Sequence, residues 1–313
     1  MKHIVLAGPT ASGKTELALA LAQQWHTEII SADSRQLYTQ LTIGTAKPQG
    51  QWQADDYVVE NIPYHLVDFL SPDQKFDVFS FCQKSRELID RCPDNPFIFA
   101  GGTGMYLHSF FIGIDALPPA HPALRAQLAA FAEQYGREAL HAKLQQQDPV
   151  SAAQIPPQNI HRVIRALEIT QVSGKPASQL KTGAFFCKQF PTEKALFVYL
   201  NWDKQLLQRR IEQRTAQMIE GMRQEIQMLL SQGFKADCPG LKSLGYPEVL
   251  QWMKGELTRE QALEKIIIAT RRYAKRQRTW FNRYTNVLRL DINTPHDFNV
   301  ARILQKINDA YTR

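Results

Sequence analysis

Eight residues near the start constrain this chain more than any other stretch. Gly8, Pro9, Thr10, Ala11, Ser12, Gly13, Lys14 and Thr15 follow the pattern G-x-x-x-x-G-K-S/T. His3 to Ala7 before them is a short apolar run that reads as a buried strand. Glu16 to Gln24 after them carries Leu17, Ala18, Leu21 and Ala22 at helical spacing. Strand, glycine loop and helix N-terminus together make an anion site. The glycines let backbone approach the ligand, and the unpaired N–H groups of the first helical turn point at it. Lys14 adds a mobile cation, and the Thr15 hydroxyl is placed to hold Mg2+. An ordinary glycine turn would not explain a lysine and a threonine directly after the second glycine. The expected fold class is therefore α/β: a P-loop core with a mostly parallel sheet and helices on both faces.

With 313 residues the chain has room for about two domains. Hydrophobic residues make up 44% and charged residues 21%, as a packed core requires. No apolar run approaches the roughly 18 residues needed to span a bilayer. A strand that begins at once leaves no space for a signal peptide, so a cytoplasmic location without membrane contact is expected. Cys82, Cys92, Cys187 and Cys238 stand far apart without a C-x-x-C pair, which argues for reduced, buried thiols and against a zinc site. Charge is uneven. Residues 1–113 hold 8 Lys and Arg against 12 Asp and Glu, a net of −4. Residues 114–313 hold 29 against 18, a net of +11. A basic second half suggests a polyanionic partner, nucleic acid first.

A second strand at 27–32 runs into Asp33, Ser34, Arg35 and Gln36. In an open α/β sheet, ligands bind beyond the carboxyl ends of the strands. Asp33 then shares an edge with the phosphate loop. A short strand is expected at 64–69 with Asp68 at its end, a helix at 78–90, and a strand at 96–100 that turns through Gly101, Gly102, Thr103 and Gly104 into a helix at 105–111. Thr103 thereby reaches the same edge. Residues 114–194 show helical stretches near 122–135, 137–146 and 159–173 but no buried strand, and read as an all-helical insertion. The strand at 195–200 returns to the sheet. The core is accordingly expected to be discontinuous, 1–113 and 195–313. Long helices follow at 203–232, with Asp203 as N-cap, and at 260–283, then a last strand at 287–290 and a helix at 297–311.

Asp33 is the general-base candidate, and a second reading has it hold Mg2+ through water. Arg210 and Arg214 lie four residues apart on one helical face. One or both can grip a diphosphate through a planar guanidinium; the alternative is a solvated face paired with Glu212 or Asp203. Residues 271–283 carry six cations and no acid, interleaved with Tyr273, Trp280 and Phe281. Arg271, Lys275 and Arg278 suit an RNA backbone, whereas the aromatics are expected to pack inward.

The set GPTASGKT, SADSRQLY, IGTAKP, AGGTGMY, NIHRVIRALEI, RIEQR, KSLGYPE and RRYAKRQRTWF runs in order over nearly the whole chain. It resembles the bacterial tRNA dimethylallyltransferases, also called tRNA isopentenyltransferases. The resemblance implies transfer of a dimethylallyl group from dimethylallyl diphosphate to N6 of the adenosine just 3′ of the anticodon, with release of diphosphate. It implies phosphate binding by the 8–15 loop, a general base at Asp33 and diphosphate contact at Arg214. It further implies tRNA contacts at Asp33, Ser34, Arg35 and Gln36, at His161, Arg162, Val163, Ile164 and Arg165, and at Lys242, Ser243, Leu244, Gly245, Tyr246 and Pro247. Thr103 and Arg125 would lie beside the target adenosine. The zinc-finger tail of eukaryotic relatives is absent. The catalytic set is then Asp33, Thr103, Lys14 and Arg214, the cofactor Mg2+, and the partners dimethylallyl diphosphate and the anticodon arm, bound by a monomer. Two competitors stand beside this reading. A small-molecule P-loop phosphotransferase would use the same loop for ATP, and a non-catalytic RNA-binding protein would use it as a nucleotide switch.

Overall fold

The computed structural model describes residues 2–115, 117–181 and 183–312. The chain divides into two compact units, Met1–Phe111 with Lys188–Arg313, and Ile112–Cys187. The first unit is built on an eight-stranded sheet: β1 (His3–Ala7), β2 (Ile29–Ser31), β3 (Gln51–Gln53), β4 (Asp56–Val59), β5 (Ile62–His65), β6 (Ile98–Gly101), β7 (Ala195–Trp202) and β8 (Leu288–Ile292). Their spatial order is β3-β4-β5-β2-β6-β1-β7-β8. Pairing is parallel from β5 through to β8 and antiparallel in the β3–β4–β5 edge.

Alternation along the strands explains why both faces are covered. Ile4 and Leu6 of β1, Ile98 and Ala100 of β6, and Val198 and Leu200 of β7 join one apolar cluster. It also takes Leu17, Ala18 and Leu21 of helix α1 (Lys14–Trp25). Phe99 and Phe197 point the other way. Behind them come α2 (Val78–Arg91) and α3 (Gly104–Phe111), with Phe99 against Phe110 and Phe111 of α3. Parallel strands buried on both faces read as continuous apolar runs, which is how β1, β6 and β7 look in the sequence.

The second unit is all helical: α4 (Pro122–Tyr135), α5 (Arg137–Gln147), α6 (Pro149–Gln154), α7 (Ile160–Ser173) and α8 (Ala177–Leu180). Leu128, Leu140, Leu144, Val163 and Leu167 form its core. Buried Asp148 accepts from Ser151 N at the start of α6 and from Ser178 N and Oγ of α8, tying the two together. Residues 188–194, assigned to the insertion from sequence, belong to the first unit. Phe190 packs against Phe111 and Phe197, and its backbone N–H and C=O pair with the Asn286 side chain.

The chain then forms α9 (Lys204–Ser231), α10 (Tyr246–Met253), α11 (Arg259–Phe281) and α12 (Val300–Tyr311). Asp203 caps α9 by accepting from Gln205 N and Leu206 N, as its N-cap role requires. Phe281 of α11 closes the second sheet face against Phe197. Ile219, Met222 and Ile226 of α9, Tyr246 and Val249 of α10, and Ala262 and Ile266 of α11 make a separate apolar cluster with Leu37 and Leu41. The sequence pattern marks neither β3, β4 nor α10, and it predicts a strand at 64–69 where β5 spans Ile62–His65. The strand stops at His65 because Leu66 and Asp68 adopt left-handed φ values of 57° and 53°.

Candidate active site

Parallel register brings three strand ends to one edge. Ala7 of β1 lies opposite Gly101 of β6, and Ser31 of β2 opposite Ala100. The 8–15 loop leaves β1 there and enters α1 through Gly13, whose φ of 82° favours glycine. No side chain caps α1, so its first amides face an incoming anion. Lys14 Nζ donates to the Gly8 and Pro9 carbonyls at 3.0 and 2.8 Å and to Ser12 Oγ at 3.3 Å. Burial pushes Lys14 down to about 8; Asp33 opposes the shift and Arg214 adds to it.

Two further elements pin the loop. Trp202 Nε1 donates to Ser12 O at 3.1 Å. Gln277 of α11 accepts from Thr10 N at 2.8 Å and donates to Gly102 O at 3.0 Å, bridging the β1 and β6 turns. From α9, Arg210 Nε donates to Ala11 O at 2.8 Å and Arg214 Nη2 to Thr10 Oγ1 at 2.5 Å. The guanidinium of Arg210 also stacks 4.7 Å over the Trp202 ring. Arg214 Nε is buried without a hydrogen-bond partner. Burial, reinforced by Arg210 and opposed by Asp33, brings Arg214 down to about 10, which leaves it charged at neutral pH. Arg210, which stays exposed, and Arg214 therefore bond the phosphate loop rather than Glu212 or Asp203.

Asp33 follows β2. Its Oδ1 accepts from Arg35 N at 2.8 Å and Gln36 N at 3.4 Å, which fixes the carboxylate at the turn. Thr103 supports the same turn: its hydroxyl accepts from Ser34 N, and its own amide donates to Ala32 O, both at 3.0 Å. Gly101 permits this approach, since a Cβ there would lie 2.1 Å from Ala32 O.

Residues 10–15 of the loop, Asp33, Arg210 and Arg214 line a cavity of about 460 Å³, with Tyr64 and Tyr273 on its sides. Burial raises the phenols of Tyr64 and Tyr273 above their ordinary value, and the Asp33 charge adds to it. An adjoining space of about 80 Å³ shares Thr10, Asp33 and Arg214, and adds Met218, Met222, Leu244 and Ile266 beside the polar Arg35, Thr215, Ser243 and Thr270. Cations that match a diphosphate thus stand beside a carboxylate and a recess with both polar and apolar walls. Thr15 and Asp33, a hydroxyl and a carboxylate, both line the larger cavity. Such a pair leaves most octahedral positions to phosphate oxygens and water, the donor set that suits Mg2+. No group of three or more His, Cys, Asp or Glu that could hold a metal occurs among the described residues.

Other residues singled out in the sequence lie elsewhere. Arg125, His161, Arg162, Val163, Ile164 and Arg165 belong to the helical unit. His161 and Arg162 are exposed. Val163 and Ile164 are not available as tRNA contacts, because both side chains are in that unit's core. Arg125 and Arg165 both pair with the buried carboxylate of Glu168. Lys242 and Pro247 are exposed, but Ser243, Gly245 and Tyr246 are buried. Tyr246 spends its hydroxyl on Glu225 at 2.6 Å, so it cannot serve as an RNA contact. On α11, Arg271 pairs with Glu212, and Arg271, Lys275 and Arg278 line a separate groove with Lys204 and Arg272. Asp68, placed by the sequence at a strand end, instead pairs with buried Lys47.

Sequence reading missed Gln277, Tyr64 and the cavity role of Tyr273. One signal was present: Thr270, Ala274, Gln277 and Phe281 form the buried stripe of α11. A glutamine on such a stripe must find buried partners.

The family model described as IPP transferase matches residues 36–284, and that described as isopentenyl transferase matches residues 1–53. The chain is 49% identical to a tRNA dimethylallyltransferase from Elusimicrobium minutum, over 92% of this chain and 94% of that protein. It is 38% identical to a tRNA dimethylallyltransferase from Alkaliphilus metalliredigens, over 99% of this chain and 98% of that protein. Among solved structures, the full-length tRNA isopentenylpyrophosphate transferase from Bacillus halodurans superposes with a TM-score of 0.67 at 33% identity. That match covers 98% of this chain and 96% of the other.

Proposed function

This chain belongs to the IPP transferase family, and we propose that it transfers a dimethylallyl group from dimethylallyl diphosphate to tRNA, at N6 of the adenosine 3′-adjacent to the anticodon. The observation that carries this reading is the joint placement of Lys14, Arg214 and Asp33 around one cavity. The N6 amine is a weak nucleophile, since its lone pair is delocalised into the adenine ring. As that lone pair forms the bond to the allylic carbon, the carbon–oxygen bond to diphosphate breaks. The N6 proton passes to the Asp33 carboxylate as general base. Negative charge grows on the leaving diphosphate, where the loop amides, Lys14 and Arg214 stabilise it. Mg2+, held by Thr15 and Asp33, would neutralise part of that charge. Thr103 supports the Asp33 turn from β6.

A base inside the anticodon loop has to leave its stack to reach Asp33. Exposed Arg35, Lys242 and Pro247 in the first unit, and exposed His161 and Arg162 in the helical unit, are the tRNA contacts in this proposal. Lys275 and Arg278 supply backbone contacts. No helix is long and apolar enough to cross a membrane among the described residues.

The test is incubation with dimethylallyl diphosphate, Mg2+ and unmodified tRNA, followed by nucleoside mass analysis. Prenylated adenosine with stoichiometric diphosphate is expected. ADP release from added ATP in step with turnover, or no prenylated nucleoside, would overturn the reading and favour a phosphotransferase.

A further inference from the structure

The 42–46 loop has no part in the chemistry above, yet Gly44, Thr45 and Ala46 line the smaller cavity next to Asp33. One distant side chain holds its backbone. Glu225 of α9 is 7% exposed. Its Oε1 accepts from Thr42 N at 2.7 Å and Ile43 N at 2.6 Å, and its Oε2 from Gly44 N at 3.2 Å. The Tyr246 hydroxyl donates to the same Oε2 at 2.6 Å. Three successive amides turned to one point make an anion cradle, and here the anion is the protein's own carboxylate. Charge-assisted bonds of this kind are about twice as strong as neutral ones.

Packing around the cradle has no slack. A Cβ on Gly44 would lie 2.4 Å from the Tyr246 ring, and one on Gly221 of α9 would lie 2.4 Å from Ile43 Cδ1. The far end of the loop is tied as well. Gln36 Nε2 donates to Ala46 O at 2.9 Å, and buried Lys47 donates to Tyr38 O at 2.7 Å. Thr45 Oγ1 donates back to Leu41 O at 2.5 Å. A loop restrained at this many points, along the side of the cavity that Asp33 also lines, fixes how closely two reactants can approach.

The geometry points to Glu225, with Tyr246 as its partner, as a positioning residue for the transfer step. It holds the 42–46 backbone as a rigid side of the cavity at Asp33 and leaves the diphosphate to Lys14 and Arg214. This inference rests on the proposed transfer activity. A shift of about 1 Å in such a surface costs on the order of a hundredfold in rate.

Three measurements on Glu225→Gln and Tyr246→Phe test it: single-turnover rate at saturating substrates, affinity for inorganic diphosphate, and amide hydrogen exchange over 42–46. For Glu225→Gln the account expects a rate about 10- to 100-fold down and faster exchange confined to the loop, with diphosphate affinity within about twofold of wild type. Tyr246→Phe should move the same readouts less. The double variant should match Glu225→Gln, because the two side chains act through one network. Unchanged exchange, an unchanged rate with a loosened loop, or diphosphate affinity falling in step with the rate would each overturn the assignment. If Glu225→Gln does not fold, Tyr246→Phe decides by the same criteria. If the wild-type protein prenylates no tRNA, the transfer reading fails and the positioning role falls with it, while loop exchange alone still judges the cradle.

Discussion

Glu168→Gln asks whether Arg125 and Arg165 are structural or are held ready for RNA. The Glu168 side chain is fully buried. It accepts from Arg125 Nε and Nη2, both at 2.9 Å, from Arg165 Nη1 at 2.5 Å and from His121 N at 2.6 Å. Arg165 also donates Nη2 to Pro118 O at 2.6 Å. One carboxylate therefore fastens α7 to α4 and to the segment before it. Burial alone would raise its pKa. The Arg125, His121 and Arg165 bonds outweigh burial and bring it from 4.5 down to about 2. At about 1.4 kcal/mol per unit, the charged form is worth about 3 kcal/mol to the fold. Because the folded value is depressed, this contribution is complete above pH 4.5 and disappears as pH falls through about 2. Glutamine keeps the volume but leaves two guanidiniums without a counter-charge. Removing one partner of a buried pair costs about 3–5 kcal/mol, and the partial exposure of Arg125 moves the expectation to about 2–3 kcal/mol. All five tryptophans lie outside the helical unit, so fluorescence is silent there and hydrogen exchange on α4 and α7 peptides is the appropriate assay. Protection should fall about 30- to 150-fold at neutral pH, a tenfold change being about 1.4 kcal/mol. Protection within about twofold of wild type would refute the structural reading and return both arginines to the RNA side.

Two other substitutions separate the tether of the phosphate loop from the RNA grip. Gln277→Ala removes both bonds of the bridge between Thr10 and Gly102. Unpaired buried groups cost about 1–3 kcal/mol, so calorimetry with inorganic diphosphate should show affinity about tenfold weaker. Lys275→Ala with Arg278→Ala should weaken tRNA binding and flatten its dependence on log salt by roughly 0.7 per lost phosphate contact. Diphosphate affinity should be unchanged in a variant with the wild-type melting temperature. An unaltered salt slope would mean that this groove is only a solvated face.

What could be read from the sequence was local. The 8–15 loop announced itself by pattern and flanks, and the parallel strands by apolar runs buried on both faces. The antiparallel edge gave no such signal: Gln51, Trp52 and Gln53 are all exposed, so no core face imposes alternation on β3. Helix α10 was hidden by its own start. Gly245 at φ 95° followed by Tyr246 and Pro247 looks like a turn, although proline in a first helical turn is compatible with a helix. The deeper losses are partnerships across long separations. Glu225 finds Thr42, Ile43 and Gly44 over 180 residues away, and Gln277 finds Thr10 at a separation of 267. No periodicity marks such pairs. Motifs also mix exposed and buried members: in 242–247, Lys242 faces solvent while Tyr246 supports the cavity from behind.

The central claim is that the Asp33 carboxylate takes the proton from the attacking amine while other residues hold both substrates. Single-turnover prenylation by Asp33→Ala, measured beside equilibrium tRNA binding, tests it most directly. The account predicts a rate about 10²–10⁴-fold below wild type, with tRNA affinity within a few-fold. A near-normal rate, or a rate loss matched by loss of tRNA affinity, would contradict it.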